Sequence, residues 1–132
     1  MNAAGVLDTS VFIAQESGRS LDSGRIPDEV ATTVITLAEL NAGVLVAANA
    51  ETRAQRLATL DAVPDLAALP VDVKAAQMWA RMRVHLAETG RRVRVNDLWI
   101  AAVAASHGLP VVTQDDDFDS LDGVAGLSVI RV

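Results

Sequence analysis

The chain has 132 residues, no cysteine and a formal net charge of −6, with 51% apolar and 21% charged residues. That length suits one domain, spanning residues 1–132, with a real core. The composition excludes a disordered chain, and the missing thiols exclude disulfides and thiolate metal sites.

Aromatic residues are few (Phe12, Phe118, Trp79 and Trp99), so Ala, Val, Leu and Ile must build the core. The two histidines, His85 and His107, lack the pairing of a zinc motif. Met1 to Val6 carries neither a basic region nor an apolar signal stretch. The longest apolar run, Leu98 to Ala105, is too short to span a bilayer, so a soluble cytoplasmic protein is expected.

In chain order, Gly5 to Leu7 reads as a short buried strand ending at Asp8. Thr9 or Ser10 would cap a helix from Val11 to Glu16. Leu21 to Asp28, with Gly24 and Pro27, reads as a loop or short broken helix, and Glu29 to Thr33 as a strand. Thr36 to Ala48 is expected to be a helix burying Leu37, Leu40, Val44 and Leu45. Ala50 to Val63 is expected to be another, with Leu57 and Leu60 inward and Arg53 and Arg56 outward.

Pro64 and Pro70 bracket a short strand near Leu66 to Leu69. Asp72 to Thr89 is a long helix with Ala75, Met78, Met82 and Leu86 on one face and Gly90 as its stop. Asn96 is the candidate cap of a helix from Asp97 to His107, ended by Gly108 and Pro110. Val111 to Thr113 is a strand, Asp116 to Leu121 a turn or short helix, and Leu127 to Val132 a last strand. Strands alternating with helices predict an α/β domain on a mostly parallel sheet.

Ligands of such sheets sit beyond the carboxyl ends of the strands. Asp8 and Asp115 directly follow strands, Asp97 opens a helix, and Glu39 sits early in a helix after a strand. All four should face one edge. Taken singly, Asp8 and Asp97 could be helix caps and Asp115 to Asp117 an exposed turn; Glu39, amid Leu37, Ala38 and Leu40, is harder to place so. Carboxylates about 5 Å apart repel by roughly 3 kcal/mol per pair at an effective dielectric near 20. A cluster of four therefore persists only with shared protons or bound cations. Oxygen-only donors select Mg²⁺ or Mn²⁺, which points to chemistry on phosphate esters.

The four stretches Leu7-Asp8-Thr9-Ser10, Thr36-Leu37-Ala38-Glu39-Leu40, Asn96-Asp97-Leu98-Trp99-Ile100-Ala101-Ala102 and Val112-Thr113-Gln114-Asp115-Asp116-Asp117-Phe118 resemble the motifs of PIN-domain ribonucleases. They are most similar to the VapC toxins of prokaryotic toxin–antitoxin pairs. The resemblance spans essentially the whole chain. It implies a three-layer α/β/α fold and a Mg²⁺- or Mn²⁺-dependent endoribonuclease that leaves a 5′-phosphate and a 3′-hydroxyl. The family's acidic quartet corresponds to Asp8, Glu39, Asp97 and Asp115, with Asp117 as a further acid near the metal. Thr9, Ser10 and Thr113 match the hydroxyls that orient carboxylates or water. The resemblance also implies an RNA substrate such as tRNA or rRNA, a homodimer and a cognate VapB antitoxin.

This chain departs from the pattern at Asp116, where the family often has a basic or neutral residue. Which of Asp115, Asp116 and Asp117 touches metal is therefore open.

Five of the 11 basic residues (Arg81, Arg83, Arg91, Arg92, Arg94) lie between positions 81 and 94, against one acid, Glu88. Arg91, Arg92 and Arg94 just precede Asp97 and are candidates to hold RNA phosphates, although Arg91 and Arg92 would equally complement a helix C-terminus. Scarce aromatics argue against a base-stacking platform, and Trp79 and Trp99 read as core or dimer-interface residues. Two other readings compete. A phosphatase with an aspartyl nucleophile expects a second Asp where Ser10 stands, and a PIN-like scaffold that binds without cutting has no need of all four acids.

Overall fold

A computed structural model describes residues 4–63 and 66–132. Five strands form one sheet in the order β3-β2-β1-β4-β5: β1 Ala4–Leu7, β2 Glu29–Thr33, β3 Ala67–Leu69, β4 Val111–Thr113 and β5 Val129–Arg131. Every pairing between them is parallel. The helices are α1 Thr9–Glu16, α2 Val34–Leu45, α3 Ala50–Ala62, α4 Val73–Thr89 and α5 Val95–Ser106.

The strand register divides the core in two. Val6 pairs with Val111 and Leu7 with Val112, and successive side chains of a strand point to opposite faces. Val6 and Val111 join Met82, Leu86, Leu98 and Ile100 of α4 and α5 in one cluster. Leu7 and Val112 join Val11, Phe12, Leu40 and Val63 in the other. The result is the α/β/α sandwich expected from the motif resemblance. Among the described residues no helix is long and apolar enough to cross a membrane.

Gly5 is required by a close approach. A Cβ there would lie 2.8 Å from Val112 Cγ2 and 3.0 Å from Pro27 Cγ. Gly5→Ala is expected to lower stability by about 1–3 kcal/mol through overpacking between β1 and β4, measurable as a fall in the urea midpoint.

Several expectations are corrected. Asp8 itself, not Thr9 or Ser10, is the N-cap of α1. α2 begins at Val34, capped by Thr33, whose Oγ1 accepts from Thr36 N at 3.2 Å. Of its four expected inward residues only Leu40 is buried; Leu37 and Val44 are half-buried, and Leu45 is 82% exposed. Leu57 of α3 is also exposed, while Arg56 is half-buried.

Both arginines of α3 reach back toward the end of α2, Arg56 Nη1 donating to Gly43 O in its last turn at 2.6 Å and Arg53 Nη2 to Ala47 O, just beyond the helix, at 3.3 Å. Arg56 thus serves one of the last-turn carbonyls that the end of a helix leaves unpaired. Asn96 does not cap α5; that helix starts at Val95, with Arg94 at the cap position. The last strand is shorter than expected and starts at Val129, Leu127 being a buried core residue before it. Pro64, one of the two expected strand brackets, lies outside the described residues, as do Met1 to Ala3.

Trp79 and Trp99 are half-buried and stack on each other, with ring centroids 5.2 Å apart and planes 19° from parallel.

Candidate metal centre

With β1 in the middle of the order β3-β2-β1-β4-β5, the chain runs outward on one side through β2 and β3 and on the other through β4 and β5. The carboxyl ends of β1 and β4 flank that reversal, where open α/β sheets place their ligands. A cavity of about 150 Å³ sits there, lined by Asp8, Thr9, Ser10, Glu39, Asp97, Asp115 and Asp117, with Ile13, Arg19 and Arg94 at its sides. The four expected acids and Asp117 therefore converge. Asp116 is exposed and lines a neighbouring cleft instead, so of the fourth acidic stretch only Asp115 and Asp117 border this cavity.

Asp8 is 3% exposed and held by a chain of hydroxyls. Thr113 Oγ1 donates to Asp8 Oδ2 at 3.0 Å, and Ser10 N donates to the same oxygen at 3.4 Å. Thr113 Oγ1 accepts from Asp115 N at 3.1 Å and lies 3.1 Å from Ser10 Oγ, which accepts from Gln114 N at 3.0 Å. Since Thr113 spends its one proton on Asp8, Ser10 is the donor between the two hydroxyls. β1, α1 and the end of β4 are thus tied through three side chains.

A second chain holds Glu39. Thr9 Oγ1 donates to Glu39 Oε1 at 2.8 Å and lies 3.0 Å from the hydroxyl of buried Thr36, one turn earlier on α2. Thr36 and Arg19 were not singled out from the sequence. Thr36 had a discernible signal, a hydroxyl three residues before an acid on one helix face. Arg19 follows a helix-terminating turn in which Gly18 adopts φ 74°, Gly18 N donates to Gln15 O and Arg19 N to Ala14 O. A glycine followed by arginine marks the turn, but nothing in the chain says that it faces the acids.

The electrostatics are those of crowded acids. Burial pushes the Asp8 carboxyl above its ordinary value, against the pull of its Ser10 and Thr113 hydrogen bonds. Asp97 is pushed up to about 7, first by burial and then by repulsion from Asp8, Asp117 and Glu39, with Arg94 opposing. Asp115 is raised by burial, Asp117 and Asp8, with Arg19 opposing. Asp97 lies in the first turn of α5, where the helix dipole favours an ionised carboxylate, but desolvation and like charge outweigh that. Perturbed acids of this kind concentrate at functional sites.

The donor set is all oxygen, and a divalent cation offsets the repulsion that raises Asp97 and Asp115. Among the described residues no three acidic or imidazole side chains form a ready-made cage for an ion.

Arg91, Arg92 and Arg94 are exposed. Arg94 borders both the acidic cavity and an adjoining opening beside Glu39, Asn96 and Asp97. Arg91 and Arg92 lie further along, in a cleft shared with Arg94, Asp116, Asp117 and Asp119.

A central parallel sheet between two helical layers, with acids gathered at its switch point, defines a PIN-type domain, and the PIN domain family model matches residues 5–124. The chain belongs to the PIN domain family. It is 72% identical over 130 residues to Ribonuclease VapC5 of Mycobacterium tuberculosis, covering 98% of this chain and 96% of that one. It is 37% identical over 123 residues to Ribonuclease VapC4 of the same organism, covering 92% and 94%. Among solved structures, it superimposes with a TM-score of 0.93 and 69% identity on a chain of VapBC-5, a member of the VapBC family of toxin–antitoxin systems from M. tuberculosis, covering 98% of this chain and 99% of that one.

Proposed function

We propose that this chain is a VapC-type toxin, an endoribonuclease that uses Mg²⁺ or Mn²⁺ to hydrolyse RNA phosphodiester bonds. The observation that carries the reading is the convergence of Asp8, Glu39, Asp97, Asp115 and Asp117 on one cavity, with Asp97 raised to about 7. The ribonuclease names of its relatives support the same chemistry.

One or two of Asp8, Asp97 and Asp115 would hold the ion directly, the remaining acids with Glu39 and Asp117 meeting it through bound water. When bound, it supplies a water ionisable near neutral pH and offsets charge on the phosphoryl oxygens. The Ser10–Thr113 hydroxyls fix the direction of Asp8, and Thr9 fixes Glu39, so neither acid must reorganise during the reaction. Arg19 and Arg94 flank the acids and offer positive charge to a phosphate entering between them. Water adds to phosphorus, the bond to the 3′-oxygen breaks, and that oxygen leaves with a proton as the 3′-hydroxyl. Arg91 and Arg92 would hold backbone phosphates next along the strand.

A VapB-type antitoxin partner is supported by a groove of about 310 Å³ between α1 and α2, where Ile13, Leu40 and Val46 meet Glu39. Val46 is 75% exposed and adjoins exposed Leu45, an apolar surface that a second chain would cover. A homodimer and a cytoplasmic location belong to the same proposal.

The test is incubation of antitoxin-free protein with total cellular RNA. Cleavage is expected with Mg²⁺ or Mn²⁺, giving 5′-phosphate ends, and none in EDTA. Cutting that persists in EDTA would remove the metal from the proposal; no cutting under any metal would leave a scaffold that binds RNA or protein.

A further inference from the structure

We propose that the cleft between α4 and the start of α5 is a second RNA subsite, which binds the single strand flanking the scissile phosphate. The proposal rests on the ribonuclease reading for the class of its ligand. The cleft has a volume of about 590 Å³, within the range of sites that enclose a nucleotide-sized ligand.

Three guanidinium groups line it: Arg83 from α4, and Arg91 and Arg92 from the segment joining the helices. Its wall is apolar, made by Trp79, Leu86 and Val95 among others, and no acidic side chain is among its described lining residues. In a chain of net charge −6, a cavity whose described charged lining residues are all cations is a local reversal of sign. Phosphates supply the complementary charge, and the apolar wall suits a base or ribose face.

Continuity with the acids sets this cleft apart from an isolated patch. Arg91, Arg92 and Val93 are shared with the next cleft, and that cleft shares Arg94 and Asp117 with the acidic cavity. The middle stretch carries Asp116, Asp117 and Asp119 beside its arginines. Its charge is balanced, so the α4 cleft is where a phosphate is held. Arg81, two residues before Arg83 on α4, is exposed, contacts Met78 and does not line the cleft. The local excess of arginines therefore divides into one residue off the track and four along it.

The test uses the full chain in EDTA with a fluorescein-labelled oligouridine of about twelve nucleotides, a span within the usual single-strand footprint. Affinity is followed by anisotropy as KCl is varied. Arg83→Ala is expected to weaken binding about fivefold at 0.1 M salt and to lower the slope of log affinity against log salt by about 0.7, one phosphate contact on a single strand. Arg81→Ala and Arg83→Lys should keep the wild-type slope. Trp79 and Trp99 are the only tryptophans and there is no tyrosine, so tryptophan emission should change on binding, and less in Arg83→Ala.

An unchanged slope in Arg83→Ala overturns the proposal. So does an Arg83→Ala effect on dimer dissociation in sedimentation with no effect on RNA, which would assign the cleft to a second copy of the chain. The outcomes separate from those of the ribonuclease reading. RNA cut in Mg²⁺ with an Arg83-independent slope removes only the subsite. An Arg83-dependent slope in a protein that cuts nothing removes only the nuclease.

Discussion

Asp97→Asn is expected to impair RNA cleavage severely and at the same time to stabilise the metal-free protein at alkaline pH. The Asp97 carboxyl titrates near 7 in the folded chain, against 3.8 for the free side chain. Between those values the unfolded chain has released a proton that the folded chain retains. Stability from this group is therefore fully present below about pH 4, falls as pH rises to about 7, and is flat above that. Three units would correspond to about 4 kcal/mol, reduced to about 2 kcal/mol because a half-buried group is screened by solvent.

Asparagine resembles the neutral acid, so the variant should match wild type near pH 4 and exceed it by about 2 kcal/mol at pH 8. Urea unfolding in EDTA at the two pH values measures this. Added Mg²⁺ should raise the thermal midpoint of wild type more at pH 8 than at pH 5, because the ion needs the ionised acid. Cleavage should fall by about 10²-fold or more, as for other losses of an electrostatic catalytic group. A variant less stable than wild type at pH 8 would refute the repulsion on which the metal site is argued.

The parts of this site that were legible in the sequence share one property: their position follows from local structure. Asp8 and Asp115 follow the ends of short apolar strands, and parallel strands deliver such residues to one edge. Val6, Leu7, Val111 and Val112 were readable as strand core for the same reason, by alternation and burial. Residues governed by long-range packing were not. Leu45 and Leu57 have helical spacing, yet nothing described covers that side of α2 and α3, and periodicity alone does not reveal an absent neighbour. Arg53 and Arg56 looked like solvated charges because their partners, Gly43 O in the last turn of α2 and Ala47 O just after it, are backbone atoms that no sequence pattern marks. Asp97 was readable as one of the converging acids but its raised carboxyl was not, since burial and repulsion from Asp8, Asp117 and Glu39 depend on distances that no spacing encodes. Arg19 escaped notice because a turn, not a periodic face, aims it at the acids.

Thr113→Val is expected to damage stability and catalysis together, although it exchanges one hydroxyl for a methyl in a fully buried side chain. Thr113 Oγ1 is saturated: it donates to Asp8, accepts from Asp115 N and accepts from Ser10. Valine fills the same space in β4 and keeps the strand propensity, so the change isolates the hydroxyl. It takes a donor from an Asp8 carboxylate that is 3% exposed and leaves the Asp115 amide and the Ser10 hydroxyl each short of a partner. Unserved buried polar groups cost about 1–3 kcal/mol apiece, with partial relief as Ser10 turns its proton to Asp8 directly. A net loss of about 3 kcal/mol in urea unfolding is the expected result.

The pH dependence gives a second, independent reading of the same change. The Thr113 hydrogen bond lowers the Asp8 carboxyl against the burial that raises it, so its loss raises Asp8 further. Mg²⁺ must then displace that proton, and the half-maximal concentration for thermal stabilisation should rise, more at pH 6 than at pH 8. Thr113→Ser, which keeps the hydroxyl and loses only a methyl, should restore the Mg²⁺ response while remaining less stable from the small cavity it leaves. If valine and serine impaired the Mg²⁺ response equally, Thr113 would be a packing residue and Asp8 would owe its orientation to the α1 N-terminus alone.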